Sequence, residues 1–391
     1  MPAQPIVIDW FQNAADHKLI PAITDMNEVL QQYPHDPWVT YLAIKWLTAQ
    51  TQYERAAAVY EHSEIYDSPG LLNNAAYTYA YMRQFDKAFA LMDKYITALP
   101  KNANPQDSYA EMLRMAGHFD QAIEHYKAAL VLNPKFYSSQ LGIADTYSLM
   151  GDQVRARQEY EASFRKFSLP TLDRVVWKTR EATTFVRDGD FRSADRAFRA
   201  IAEYARAKRM SQVEAEAYRQ MALYQTRPEQ AAVCLSKAEN ALHEGNNMMR
   251  AAVQQELAQI LRARVELAVK DRDEGLANAA LAQLNQLSDE SDDRLIETAY
   301  HGAAGAVFFS RHEYKKAALQ LEEDINNPMS LKMLAAAYRE MNNIADAKRT
   351  DETLANFNDP TLEQALVVPA FRKCLENPSC QIKIKNTSYQ N

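Results

Sequence analysis

Apolar positions along the chain recur at helical spacing and fall into paired segments separated by short turns. In residues 103–136, Tyr109, Ala110 and Leu113 share one face of a first segment, and Phe119, Ala122, Tyr126 and Ala129 share one face of a second. Steps of three and four residues trace one stripe on an α-helix, so the spacing predicts two helices. Gly117 stands where the first must stop, because the residue past a helix end favours the left-handed region that glycine enters freely. Pro134 stops the second, since proline cannot continue the backbone ladder. The small residues Ala110 and Ala122 have a packing reason: two antiparallel helices approach closely only where their crossing point carries no bulk. Tyr109, Phe119 and Tyr126 then fill the flanking grooves.

This pattern repeats. A large apolar residue three positions before an alanine occurs at Leu19…Ala22, Tyr53…Ala56, Phe85…Ala88, Phe119…Ala122 and Phe191…Ala194, with Gln153…Ala156 keeping only the alanine. The alanine-to-alanine steps are 34, 32, 34, 34 and 38 residues. Such a period marks a repeat array, in which each unit buries its apolar face only by stacking on its neighbours. Beyond residue 175 the period loosens, with the alanine falling at 231, 277, 317 and 347. We therefore expect a regular array over residues 3–209 and longer, irregular hairpins over 210–290. Residues 291–376 should form C-terminal pairs closed by a capping helix, and 377–391 a poorly ordered tail. Pro369 is expected to kink the capping helix or end it early.

Ala110, Gly117, Phe119, Ala122, Tyr126, Ala129 and Pro134 match the spacing of the tetratricopeptide repeat family, and the chain resembles bacterial arrays of that type. Gln106 departs from it, standing where the family often has Trp; Leu141-Gly142 mimics its Leu-Gly pair but reads as coincidence, being two residues out of register. The resemblance implies an all-α solenoid, a right-handed superhelix of about ten antiparallel helix pairs, whose first helices line a concave groove. In this register the groove would present Tyr41 and Lys45, then Asn73, Asn74, Tyr77 and Tyr81, then Asp107, Glu111 and Arg114, followed by Asp145, Arg180 and Arg187. Asparagine can pair with both donors and acceptors of a peptide backbone, and tyrosine offers rigid contact area with a polar tip. The family's carboxylate clamp for chaperone tails is absent. Asn74 matches one clamp position, but Tyr41 and Lys45 stand where Lys and Asn are required, and Asn104 and Ser108 where basic residues are.

Composition changes this picture little. The chain of 391 residues has nine glycines and is rich in helix formers, so no sheet is expected. Its net charge of −7 argues against nucleic acid as a partner. Residues 152–209 run the other way, with 14 Lys or Arg against 9 Asp or Glu, which reads as solvated helix surface before it reads as a patch for an acidic partner. Cys234, Cys374 and Cys380 form no CxxC and have no histidine at ligand spacing, so neither zinc nor a disulfide framework is expected; Cys374 and Cys380 could bridge in an oxidising compartment. No run of eighteen apolar residues suggests a membrane span, and no signal peptide is visible at the start. The location is read as cytoplasmic or, if a leader was removed, exported or periplasmic. No nucleophile elbow, zincin motif or phosphate loop occurs, His118 and His125 are too far apart to share a metal, and Gly302-Ala-Ala-Gly305 reads as helix packing. The expectation is a noncatalytic scaffold or adaptor, without cofactor, that binds a protein or peptide in its groove. The alternative is a structural element that forms a homo-oligomer or spaces other subunits.

Overall fold

The computed structural model describes residues 5–16, 18–245 and 248–376, and every regular element among them is helical. The helices are α1 (Pro5–Ala15), α2 (Leu19–Gln32), α3 (Pro37–Ala49), α4 (Tyr53–Ser63), α5 (Pro69–Tyr81), α6 (Phe85–Ala98), α7 (Ala103–Met115), α8 (Phe119–Leu132), α9 (Tyr137–Met150), α10 (Gln153–Lys166) and α11 (Thr171–Arg187). They continue as α12 (Phe191–Ala207), α13 (Ser211–Tyr224), α14 (Pro228–Glu244), α15 (Arg250–Asp271), α16 (Glu274–Asp289), α17 (Arg294–Ser310), α18 (Tyr314–Leu321), α19 (Pro328–Glu340), α20 (Ile344–Ala355) and α21 (Leu362–Glu376), with one 3-10 turn at Glu322–Asp324. The fold is an all-α, tetratricopeptide-like solenoid of helix pairs followed by one final helix. It divides into two compact units: one of residues 1–150 with 165–167 and 291–294, the other of 151–164, 168–290 and 295–391. The expected tail and Cys380 lie outside the described residues.

Alanine at the crossing positions explains the repeat. Ala22, Ala56, Ala88, Ala122, Ala156, Ala194 and Ala317 are each fully buried. In the first unit α1 packs on α2, α3 on α4, α5 on α6 and α7 on α8; in the second α11 packs on α12, α13 on α14, α15 on α16 and α19 on α20.

A second periodic feature lies in the turns. Thr51, Arg83, Gly117, Gly189, Arg272, His312 and Asn342 all have φ between 56° and 85°. Each is followed by a residue whose N–H bonds a carbonyl five positions earlier, as in His118 to Leu113 at 2.8 Å and Asp190 to Phe185 at 2.9 Å. That pair of features is the Schellman closure of a helix. Glycine fills only some of these positions, and the others hold a left-handed residue with a Cβ, which costs about 1–2 kcal/mol. The pattern therefore survives in the backbone where the residue type hides it. The loosened period of the second unit comes from helix length, since α15 runs 22 residues where α7 runs 13.

One residue gains a packing role and one expectation needs correction. Gly142, out of register with the family's Leu-Gly pair, leaves room of its own: a Cβ there would lie 2.2 Å from the Tyr126 ring, so α9 is bare where α8 inserts its buried tyrosine. Pro369 neither ends nor shortens its helix, because α21 continues to Glu376. Pro369 is exposed, and its missing N–H removes only the one bond to the Ala365 carbonyl.

Candidate functional site

In the first unit the first helices lie side by side, α3 against α5, α5 against α7 and α7 against α9. The predicted groove residues here separate into a surface layer and an enclosed layer.

The surface layer is aromatic. Asp36 caps α3 by accepting from the Trp38 and Val39 amides at 2.9 and 3.0 Å, and Pro37 fits the first turn. This start sets Trp38, Tyr41 and Lys45 on one stripe. Trp38, 65% exposed, stacks on Tyr41 at 5.5 Å, and the Lys45 ammonium lies 5.9 Å from the Tyr41 ring centre. Gly70 opens room for that ring, since a Cβ there would approach it to 3.3 Å. On α5, Tyr81 is 41% exposed, stacks on Tyr53 at 5.3 Å and lies 6.2 Å from Tyr77. Trp38 and Tyr53 were not among the residues expected here, although Trp38, three positions before Tyr41, was readable from helical spacing.

The enclosed layer is polar. Tyr77 Oη donates to Glu111 Oε2 at 2.6 Å, Arg114 Nη2 reaches Glu111 Oε1 at 3.4 Å, and Ser139 Oγ donates to Asp107 Oδ1 at 2.6 Å. Arg114 and Asp145 are buried. Asn73 Oδ1 and Asn74 Nδ2 are covered, with no hydrogen-bond partner among the described residues. Burial pushes the Tyr77 hydroxyl well above its usual range, and the Glu111 carboxylate reinforces this. Burial also pushes Asp107 up to about 6, with Glu111 adding to the rise while Ser139 and Arg114 oppose it.

The Asp107 shift has a definite sign. A carboxyl that holds its proton more tightly in the fold than in the unfolded chain favours the fold below its unfolded pKa. That contribution is lost as pH rises through the folded value. We therefore expect Asp107→Asn, which keeps an acceptor for Ser139, to stabilise the protein above pH 6 by at most roughly 3 kcal/mol. The advantage should vanish near pH 4. Urea unfolding of both proteins from pH 4 to 7 checks this, and parallel profiles would contradict it.

Arg180 and Arg187 belong to the second unit, where the chain itself engages them. Arg180 Nη1 donates to the Pro360 carbonyl and Arg187 Nη1 to Gln364 Oε1. Of the 14 Lys and Arg in the basic stretch 152–209, several are ion-paired by the chain itself: Arg155 with Asp152, Arg157 with Asp188, Lys178 with Glu181, Arg199 with Asp195 and Arg206 with Glu214, which lies just beyond the stretch. Within Gly302-Ala-Ala-Gly305, Gly302 leaves space for a buried ion pair, since a Cβ there would lie 2.6 Å from both Arg262 Nη2 and Asp324 Oδ2. Among the described residues no three His, Cys, Asp or Glu side chains are grouped to hold a metal ion, and no helix is long and apolar enough to cross a membrane.

No family model and no curated protein matches the sequence. Among solved structures, a tetratricopeptide repeat protein from Parabacteroides merdae is 13% identical with a TM-score of 0.45, over 66% of this chain and 97% of its own. The human IFIT1 dimer with PPP-AAAA is 15% identical with a TM-score of 0.43, over 89% and 81% of the two chains. The C-terminal part of a repeat-containing protein from Cytophaga hutchinsonii is 18% identical with a TM-score of 0.35, over 63% and 95%.

Proposed function

We propose that the chain is a noncatalytic scaffold that takes a peptide or protein segment on the first-helix face of α3, α5, α7 and α9. The observation that carries this reading is the aromatic surface of this face, exposed Trp38 stacked on half-buried Tyr41 with Lys45 beside them on α3 and exposed Tyr81 on α5, over an enclosed polar base. Rigid aromatics offer contact area at little entropic cost, and the fixed base keeps them in place. Tyr77, Glu111, Arg114, Asp145, Asn73 and Asn74 then position the surface and do not themselves form it. The useful variant is accordingly Trp38→Ala/Tyr81→Ala, since replacing Tyr77 would disturb the base through the lost hydrogen bond to Glu111. In an affinity capture the double variant should lose a partner held by the intact chain, with at least a tenfold weaker Kd and an unshifted melt. Equal affinity would remove this face from the account.

A specific observation favours self-association as the second reading. Ile8 and Phe11 on α1 and Ile20 on α2 are 52%, 44% and 74% exposed, an apolar surface that a second copy of the chain could cover. Sedimentation at several concentrations tests it, with Ile8→Glu/Ile20→Glu expected to remove any dimer.

A further inference from the structure

The final helix does not simply extend the array. In the second unit α21 packs on α19 and α20, its neighbours in sequence, and also on α11, which begins the unit's run of first helices. Leu362 joins the core formed by residues of α11 to α15, Leu366 touches that core, and Val367 and Val368 meet Leu331, Leu354 and Phe357. The polar contacts at its head come from Arg180 and Arg187, which reach a main-chain carbonyl at Pro360 and a side-chain carbonyl at Gln364. The residues expected to hold a foreign peptide thus hold a segment of the same chain.

That segment fills its seat incompletely. A cleft of about 340 Å³, open to the surface, remains between α11, α13 and residues 360–363, and another of about 370 Å³, mostly apolar and also open, between α15, α17, α19 and Val367. Gln220 Oε1 lines the first cleft, covered and without a hydrogen-bond partner among the described residues. Pro369 deprives the Ala365 carbonyl of its helical donor, which weakens the occupant from within.

We propose that this face of the second unit is a docking groove for an amphipathic helix of a partner protein, occupied in the resting chain by residues 357–376. The occupant displays the chemistry the groove accepts: a turn with a free carbonyl, a side-chain amide one turn into the helix, and an apolar stripe at the spacing of Leu362, Leu366 and Val367. A partner helix with larger side chains along that stripe would fill the clefts that α21 leaves open. This inference is independent of the face proposed for the first unit.

The test uses the entire 391-residue chain and a fluorescein-labelled peptide of residues 357–373. Leu362→Asp places a charge in the core contact and should release α21 in cis. The peptide should then bind this variant at least tenfold more tightly than the unaltered chain, and adding Arg180→Ala/Arg187→Ala should reverse the gain. Equal binding to both chains while α21 amides exchange freely in the variant would overturn the proposal. So would loss of amide protection throughout α11–α19, which would make α21 part of the folding core. Should Leu362→Asp fail to fold, Arg180→Ala/Arg187→Ala alone keeps the apolar packing and should speed exchange in α21 at least tenfold, with α11–α19 unchanged. Unaltered α21 exchange there counts against the groove. Binding of the peptide only by a dimer would assign the seat to α21 of a second copy and overturn the partner reading.

Discussion

Arg262→Ala should destabilise the second unit by roughly 3–5 kcal/mol, the range for breaking a buried ion pair from one side. Arg262 Nη2 lies 2.7 Å from Asp324 Oδ2, with both side chains 6% exposed, and its Nε lies 2.9 Å from Glu266 Oε1. Nη2 also donates to Ser330 Oγ at 2.9 Å, and Ser330 in turn donates to Asp324 at 2.6 Å. Two carboxylates thus share one guanidinium, and burial already pushes both upward in pKa. Without the guanidinium they must remain charged without a partner or bind protons. The variant should therefore recover stability as pH falls, because a carboxyl with a raised folded pKa favours the fold in its protonated form. Arg262→Met/Asp324→Leu/Glu266→Leu should regain most of the loss, since replacing all three charged groups by apolar residues avoids the desolvation cost, whereas leaving Glu266 would keep a buried carboxylate without its partner. Urea unfolding at pH 5 and 7 measures both effects, and a loss under 1 kcal/mol for Arg262→Ala would mean that water reaches the site.

Phe198→Ala should cost about 3–5 kcal/mol in the same unit. Phe198 is fully buried on α12, and its ring lies 6.0 Å from that of Tyr224. The upper part of the range is expected because the surroundings cannot collapse into the hole. Ala182, Ala194 and Ala202, all fully buried, bring helix backbones together there and have no length to extend. In a repeat array the loss should fall on nearest neighbours. Hydrogen exchange should accordingly rise in α11 to α14 and stay unchanged in α1 to α8. A uniform rise would show that the whole chain unfolds as one cooperative body.

The candidate site was legible only in part. Spacing placed Tyr41, Lys45, Tyr77 and Tyr81 on first helices, and they are there. It gave no sign that Tyr77, Arg114 and Asp145 would be enclosed while Trp38 stood exposed. Residues at the same repeat position meet different neighbours when adjacent helices differ in side-chain size and approach, so one register yields both surface and interior positions.

What the sequence determined by itself is the local grammar. Alanine at each helix crossing, an apolar residue three positions before it and a turn after each first helix fix the pairs, because each depends on residues within about 34 positions of one another. The tertiary structure decided what joins distant positions. Gly302 makes room for the Arg262–Asp324 pair, and Pro360 and Gln364 occupy arginines some 180 residues earlier. No period encodes such contacts. They arise when stacking brings first helices together and a buried charge or carbonyl must find its partner wherever the chain has placed one.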